Sequence, residues 1–288
     1  MSTTFSSGAT LRPRRSRSTA LTGVLLISTL IVAPWFAPQN PHDIGAFSLR
    51  DARLAPLTAG SDGSLHVLGT DAQGRDLLSA ILYGMRLSLQ IGILSTALAL
   101  FLGCTVGLVA ANRRGWTERL LMRLVDLLLA FPTVFLALIT VAVLGSGRWQ
   151  MIAALVAAQT PYFARVAFGT AIVETGKGYI EAVRAIPLPE WRVLYRHLLP
   201  NCLPPLLVVG VAQCAHAISV EATLSFLGLG LSDAEPSLGV LIANGFQYML
   251  SGRSWITLFP GLALLALVTG INLFGERLGH DLGARGSI

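Results

Sequence analysis

The chain alternates long apolar runs with short polar stretches, and that alternation sets its architecture. Apolar runs occupy residues 20–36, 88–110, 121–144, 149–173, 203–227 and 255–274. The last five reach the roughly 20 residues that a helix needs to cross the hydrocarbon core. A span in lipid must bond its own backbone, so an isolated run can cross only as a helix. The first run is shorter. Its basic front and its end near Ala33 and Ala37 also suit a signal peptide. The membrane-embedded remainder favours a first transmembrane helix at 19–37. The pattern therefore predicts an all-α membrane protein with six transmembrane helices, the last five forming a core over 88–275.

The polar stretches have their own patterns. Residues 1–18 are rich in Ser and Thr and carry Arg12, Arg14, Arg15 and Arg17, which predicts a disordered tail. Residues 38–87 hold Pro38, Pro41, Pro56 and several glycines, and are too long for a tight connection. Within 74–89, Leu77, Leu78, Ile81, Leu82, Met85 and Leu89 form one stripe against Asp76, Ser79 and Arg86. That is the pattern of a helix lying along the membrane surface. Residues 228–253 form another polar loop, with a short helix expected at 238–250.

The most charged insertion is 174–205, ETGKGYIEAVRAIPLPEWRVLYRHLLPNCLPP. It predicts two short helices, one over 178–186 rich in helix formers and one over 190–199. Pro187 and Pro189 end the first, because proline lacks an N–H and clashes with the preceding turn. Pro189 and Glu190 suit the start of the second. Trp191, Leu194, Tyr195 and Leu198 would share one face, with Arg192 and Arg196 on another.

Charge orients these segments. Only 12% of residues are charged and 53% are hydrophobic, whereas soluble domains carry about 25% charged residues. With the N-terminus inside, six cations (Arg50, Arg53, Arg75, Arg86, Arg148 and Arg253) fall outside and the rest of the 21 Lys and Arg fall inside. That bias places both termini and residues 174–205 in the cytoplasm, and leaves 276–288 as a cytoplasmic tail. Because the basic residues are scattered between spans, they argue against nucleic-acid binding.

The sequence holds little catalytic chemistry. Its only lysine, Lys177, sits in TGKGY without a phosphate-binding loop, so the chain has no P-loop of its own. No HExxH motif marks an intramembrane protease. Cys104, Cys202 and Cys214 lie in or beside apolar runs without CxxC spacing, and read as small buried hydrophobes. Neither a metal nor a cofactor is expected on this chain. Two acids lie within spans. Asp126 follows Arg123 by three residues, which suits a local ion pair. Glu221 suits either a buried hydrogen-bonded carboxylate or a gating residue. Gln159, Gln213, His216 and Glu221 are the pore candidates, since polar groups avoid lipid; interhelical hydrogen bonding is the competing reading. Cys214 and His216 point to different faces, against a joint metal site. Gly103 and Gly107 form a GxxxG suited to close helix packing, and Pro132 and Pro161 are expected to kink their spans.

Glu181-Ala182, followed by Leu199-Pro200, resembles the EAA loop of binding-protein-dependent ABC importer permeases. GTDAQGRDLLS, MRLVDLLLAFP, RHLLPNCLPPLLV, SFLGLG and FPGLAL are similar to the second permease subunit of dipeptide, oligopeptide and nickel importers. The resemblance spans roughly residues 65–280. It departs at Pro187, where the family usually has glycine, and at Val183, where it usually has alanine.

The resemblance implies a type I ABC importer permease fold in a bacterial inner membrane, with a cytoplasmic coupling-helix loop over 174–202. It assigns ATPase coupling to Glu181, Ala182, Arg184, Ala185, Pro187, Trp191, Arg192, Leu199 and Pro200. It implies four partners: a homologous permease subunit, two ABC ATPase subunits carrying ATP and Mg, and an extracytoplasmic substrate-binding protein. Short peptides are the implied substrate, with nickel or its chelates as an alternative. A self-sufficient carrier is the reading from another class, and it predicts transport by the purified chain alone.

Overall fold

The computed structural model describes residues 49–283, apart from Asp62, Arg114, Ile186, 232–234 and the side chains of Glu181 and Arg184, together with Ser28 and Ala37. The first apolar run and the N-terminal tail expected from the sequence lie almost wholly outside these residues, as do 284–288 of the expected C-terminal tail. The described chain is helical: α1 (Leu77–Arg113), α2 (Trp116–Leu129), α3 (Thr133–Leu144), α4 (Arg148–Thr175), α5 (Gly178–Arg184), α6 (Glu190–Phe226), α7 (Leu238–Phe246) and α8 (Trp255–Gly283). Four of these, α1, α4, α6 and α8, are long and apolar enough to span a membrane; counting α2 and α3 together as one bent span makes five.

Four expectations need correction. The surface helix expected at 74–89 and the span at 88–110 are one helix, α1, so the boundary at residue 87 falls inside it. No proline interrupts the stretch, and Leu77, Ile81 and Leu89 bury one face against α6, α7 and α8. Residues 121–144 form α2 and α3, which meet at 91°, a full break where the sequence suggested a kink within one helix. Pro132 precedes α3 with extended ψ 135°, an angle that ends a helical run. Residues 190–199 are not a separate helix, because α6 runs unbroken into the core, with a π-helical segment over Val193–Leu198. At the far end α8 continues to Gly283, so part of the expected tail is helix.

The N-terminal polar segment is a small ordered cap. β1 (Thr58–Ala59) pairs antiparallel with β2 (Leu65–His66). His66 Nδ1 lies 3.0 Å from Asp76 Oδ1, and the other oxygen of Asp76 accepts the Ser79 N–H at 2.8 Å, capping the first turn of α1. Arg75 pairs with Asp71 at 2.7 Å in the same buried cap.

The core is the crossing of α1 and α4, closed by α6. Gly103 and Gly107 make that crossing possible, but with α4 of the same chain as partner. A Cβ on Gly103 would come 2.5 Å from the Phe163 Cβ, and one on Gly107 would come 2.5 Å from the Ala164 carbonyl oxygen. The three cysteines are free and buried in these interfaces. Gly107→Val should force α1 and α4 apart and cost about 1–3 kcal/mol. Thermal unfolding of the membrane-extracted protein would show this as a lowered midpoint, and an unchanged midpoint would contradict the packing.

Candidate functional site

The polar elbow between α4 and α6 is anchored from below and exposed above. The last turn of α4 supplies Glu174, which accepts from Lys177 Nζ at 2.6 Å and Tyr179 Oη at 2.8 Å. Partial desolvation and the adjoining carboxylate push the Tyr179 hydroxyl up to about 12, so it stays protonated and donating at neutral pH. One turn on, Ile180 is fully buried among Leu108, Ala171, Leu194, Leu198 and Cys202. This plug fixes α5 on the bundle by burying a large aliphatic side chain, worth roughly 1.5–3 kcal/mol.

Ala182, Ala185, Pro187, Trp191, Arg192 and Pro200 are exposed, and Leu199 is half-buried. The backbones of Glu181 and Arg184 lie in α5; their side chains are outside the described residues. Arg192 stacks on the Trp191 ring at 5.3 Å, giving the tip a flat cationic aromatic surface. The face expected to unite Trp191, Leu194, Tyr195 and Leu198 is split. Leu194 and Leu198 are buried, whereas Trp191 and Tyr195 look outward. A π-helical turn holds more residues than an α turn, so it rotates the side chains out of 3.6-residue phase.

Two contacts tie the second arm of the elbow to α1. Arg113 Nη2 donates to Glu190 Oε2 at 2.8 Å, and Tyr195 Oη lies 3.0 Å from Thr105 Oγ1. The Arg113 pair is open to solvent and screened by it, so it sets position more than stability. Asp126 pairs with Arg165 of α4 at 3.3 Å and not with Arg123, because tertiary packing brings the α4 cation closer than the local one.

The pore candidates separate. Gln159 is buried and accepts from Thr96 at 3.3 Å across the α1–α4 contact. Glu221 is fully buried and accepts from Ser88 of α1 at 2.9 Å and from Ser225 at 2.8 Å. Gln213 is half-buried and His216 exposed. Sequence reading missed Ser88 and Thr96, since nothing in an apolar run marks a lone hydroxyl as the partner of an acid or amide far along the chain. No group of three or more His, Cys, Asp or Glu side chains among the described residues could hold a metal.

The elbow is an exposed surface joined directly to α4 and α6 and, through Glu190, to α1. Residues 103–282 match the family described as the binding-protein-dependent transport system inner membrane component. The chain is 38% identical to the dipeptide transport system permease protein DppC of Escherichia coli K12, over 88% of this chain and 84% of that one. It is 35% identical to the di/tripeptide transport system permease protein DppC of Pseudomonas aeruginosa, over 88% and 83%. Its fold is similar to a chain of the methionine ABC transporter MetNI in inward-facing conformations, with a TM-score of 0.57 and 22% identity over 70% of this chain and 96% of that one.

Ile180→Ala should loosen the elbow at a cost of about 2–5 kcal/mol locally. Hydrogen exchange should then accelerate over α5 and the start of α6 while α8 stays protected; uniform protection would contradict the anchoring.

Proposed function

The chain belongs to the family of binding-protein-dependent transport system inner membrane components, and from that membership we propose that it is one of two homologous permease subunits in an ATP-driven importer of short peptides. The relatives' names supply the substrate class. Both termini are assigned to the cytoplasm of a bacterial inner membrane, on the arginine bias of the loops. An extracytoplasmic binding protein delivers the peptide. Two ABC ATPase subunits bind ATP and Mg and supply the work.

The observation that carries this reading is the unbroken helix Glu190–Phe226, which begins in the exposed elbow and ends in the opposite half of the bundle. Each ATPase subunit receives one elbow in a surface groove. Closure of the ATPases on ATP draws the two elbows together. The plug at Ile180 and the contacts at Glu190 and Tyr195 pass that displacement to α4, α6 and α1 as rigid rods. The bundle then tilts from inward-open to outward-open. On α6, His216 and Thr223 are exposed and Ser219 half-buried at helical spacing, and polar groups within a span avoid lipid. This face, flanked by Gln213, lines the pathway. Gln159 and Glu221 hold helices together behind it, and Glu221 couples α6 to α1.

Glu181→Lys tests the coupling, with Ala182, Arg184, Ala185 and Trp191 as neighbours in the same contact. In the assembled importer, this variant should lose peptide uptake and the stimulation of ATP hydrolysis by the loaded binding protein, while all subunits still co-purify from the membrane. Undiminished uptake, or uphill transport by this chain alone in liposomes, would overturn the proposal.

A further inference from the structure

A second polar feature lies at the opposite end of the bundle from the elbow. The N-terminal part of α1, the start of α4 and the segment before α7 enclose a cavity of about 360 Å³ lined by Tyr83, Arg86, Gln90, Arg148 and Glu235. That volume falls at the lower end of small-molecule sites. On the orientation proposed above, it opens on the extracytoplasmic side.

Its charges are not used up internally. Arg148 donates to Gln90 Oε1 at 2.6 Å through one Nη, while Arg86 and Glu235 stand half-buried on the same recess. Neither Arg86 nor Glu235 forms an ion pair with a described residue. A half-buried cation beside the low-dielectric bilayer gains from an oxyanion partner. Two guanidiniums lining one recess match the two oxygens of a carboxylate, which they can grip in parallel. A carboxylate on the same wall suits an ammonium. Structural use of these groups would have paired Arg86 with Glu235; the recess instead keeps both signs open.

We propose that this cavity is a binding site for a small zwitterion, in which Arg86 and Arg148 take the C-terminal carboxylate of a short peptide and Glu235 faces its ammonium. The assignment of a peptide rests on the importer reading above. The site would receive the peptide as the binding protein releases it and set its direction of entry. A phosphoethanolamine lipid headgroup shares the same chemistry, an oxyanion beside an ammonium, so the test separates the two.

The assembled permease–ATPase complex, embedded in nanodiscs without its binding protein, is probed by saturation-transfer NMR with alanyl-alanine and with its C-terminal amide. Wild type should bind the free dipeptide and discriminate against the amide. Arg86→Gln should weaken binding roughly tenfold or more and abolish that discrimination, as expected for loss of a charge-assisted hydrogen bond. Arg86→Lys should restore part of it, and Glu235→Gln should remove discrimination against the N-acetylated dipeptide. Co-purification of all subunits shows that each variant is assembled.

Equal binding of acid and amide by wild type overturns the site. So does a wild-type-like preference in both Arg86→Gln and Glu235→Gln. Retention of phosphatidylethanolamine in native mass spectra, lost in Arg86→Gln while peptide binding is absent, assigns the cavity to lipid and also overturns it. Uptake by the wild-type complex with its binding protein is measured in parallel. Uptake without Arg86-dependent binding rejects this inference alone, whereas no peptide uptake rejects the importer reading on which it rests.

Discussion

In hydrocarbon, a backbone N–H without a partner costs several kcal/mol, and a helix satisfies every one of them within a single segment. The rest of the structure depends on that constraint. It makes the apolar runs of α1, α4, α6 and α8 long continuous helices. The continuous helix Glu190–Phe226 is the clearest consequence. Its first turns pack Leu194 and Leu198 beside Ile180, and its last turns bury Glu221 and Leu224 farther along the bundle.

Polar groups inside such a bundle serve two opposed ends. Glu221 with Ser88, and the Gln159 carbonyl with Thr96, each join α1 to a neighbouring helix. They make helix contacts directional where apolar packing alone would let rods slide. Arg86 and Glu235 do the reverse, standing in one recess without an ion pair among the described residues. The elbow shows the same division on a smaller scale: Ile180 is spent on anchoring, while Trp191 and Arg192 are left available.

Pro187 stands where relatives are expected to carry glycine. It is exposed, just past the end of α5, and the chain turns there without it entering a helix. Proline restricts φ, so the turn between α5 and α6 is stiffened where glycine would leave it free. For a handle that passes on force, a stiff turn is compatible with the role.

Much of this was legible in the sequence for a direct reason. Run length reports crossing of the bilayer, because it is a summed property that survives local error. The charged elbow and its proline break were readable on the same grounds, as were the buried cysteines. Tertiary structure decided what depends on phase and on distant partners. The π-helical stretch at Val193–Leu198 separates Leu194 from Trp191, and periodicity assumes a constant 3.6 residues per turn. The 91° bend before Pro132 has the same composition as a mildly kinked span. Asp126 chose Arg165 over the nearer-in-sequence Arg123, and Gly103 and Gly107 chose α4 of their own chain. In each case, the outcome is set by which surfaces meet in three dimensions, and a linear pattern carries no record of that.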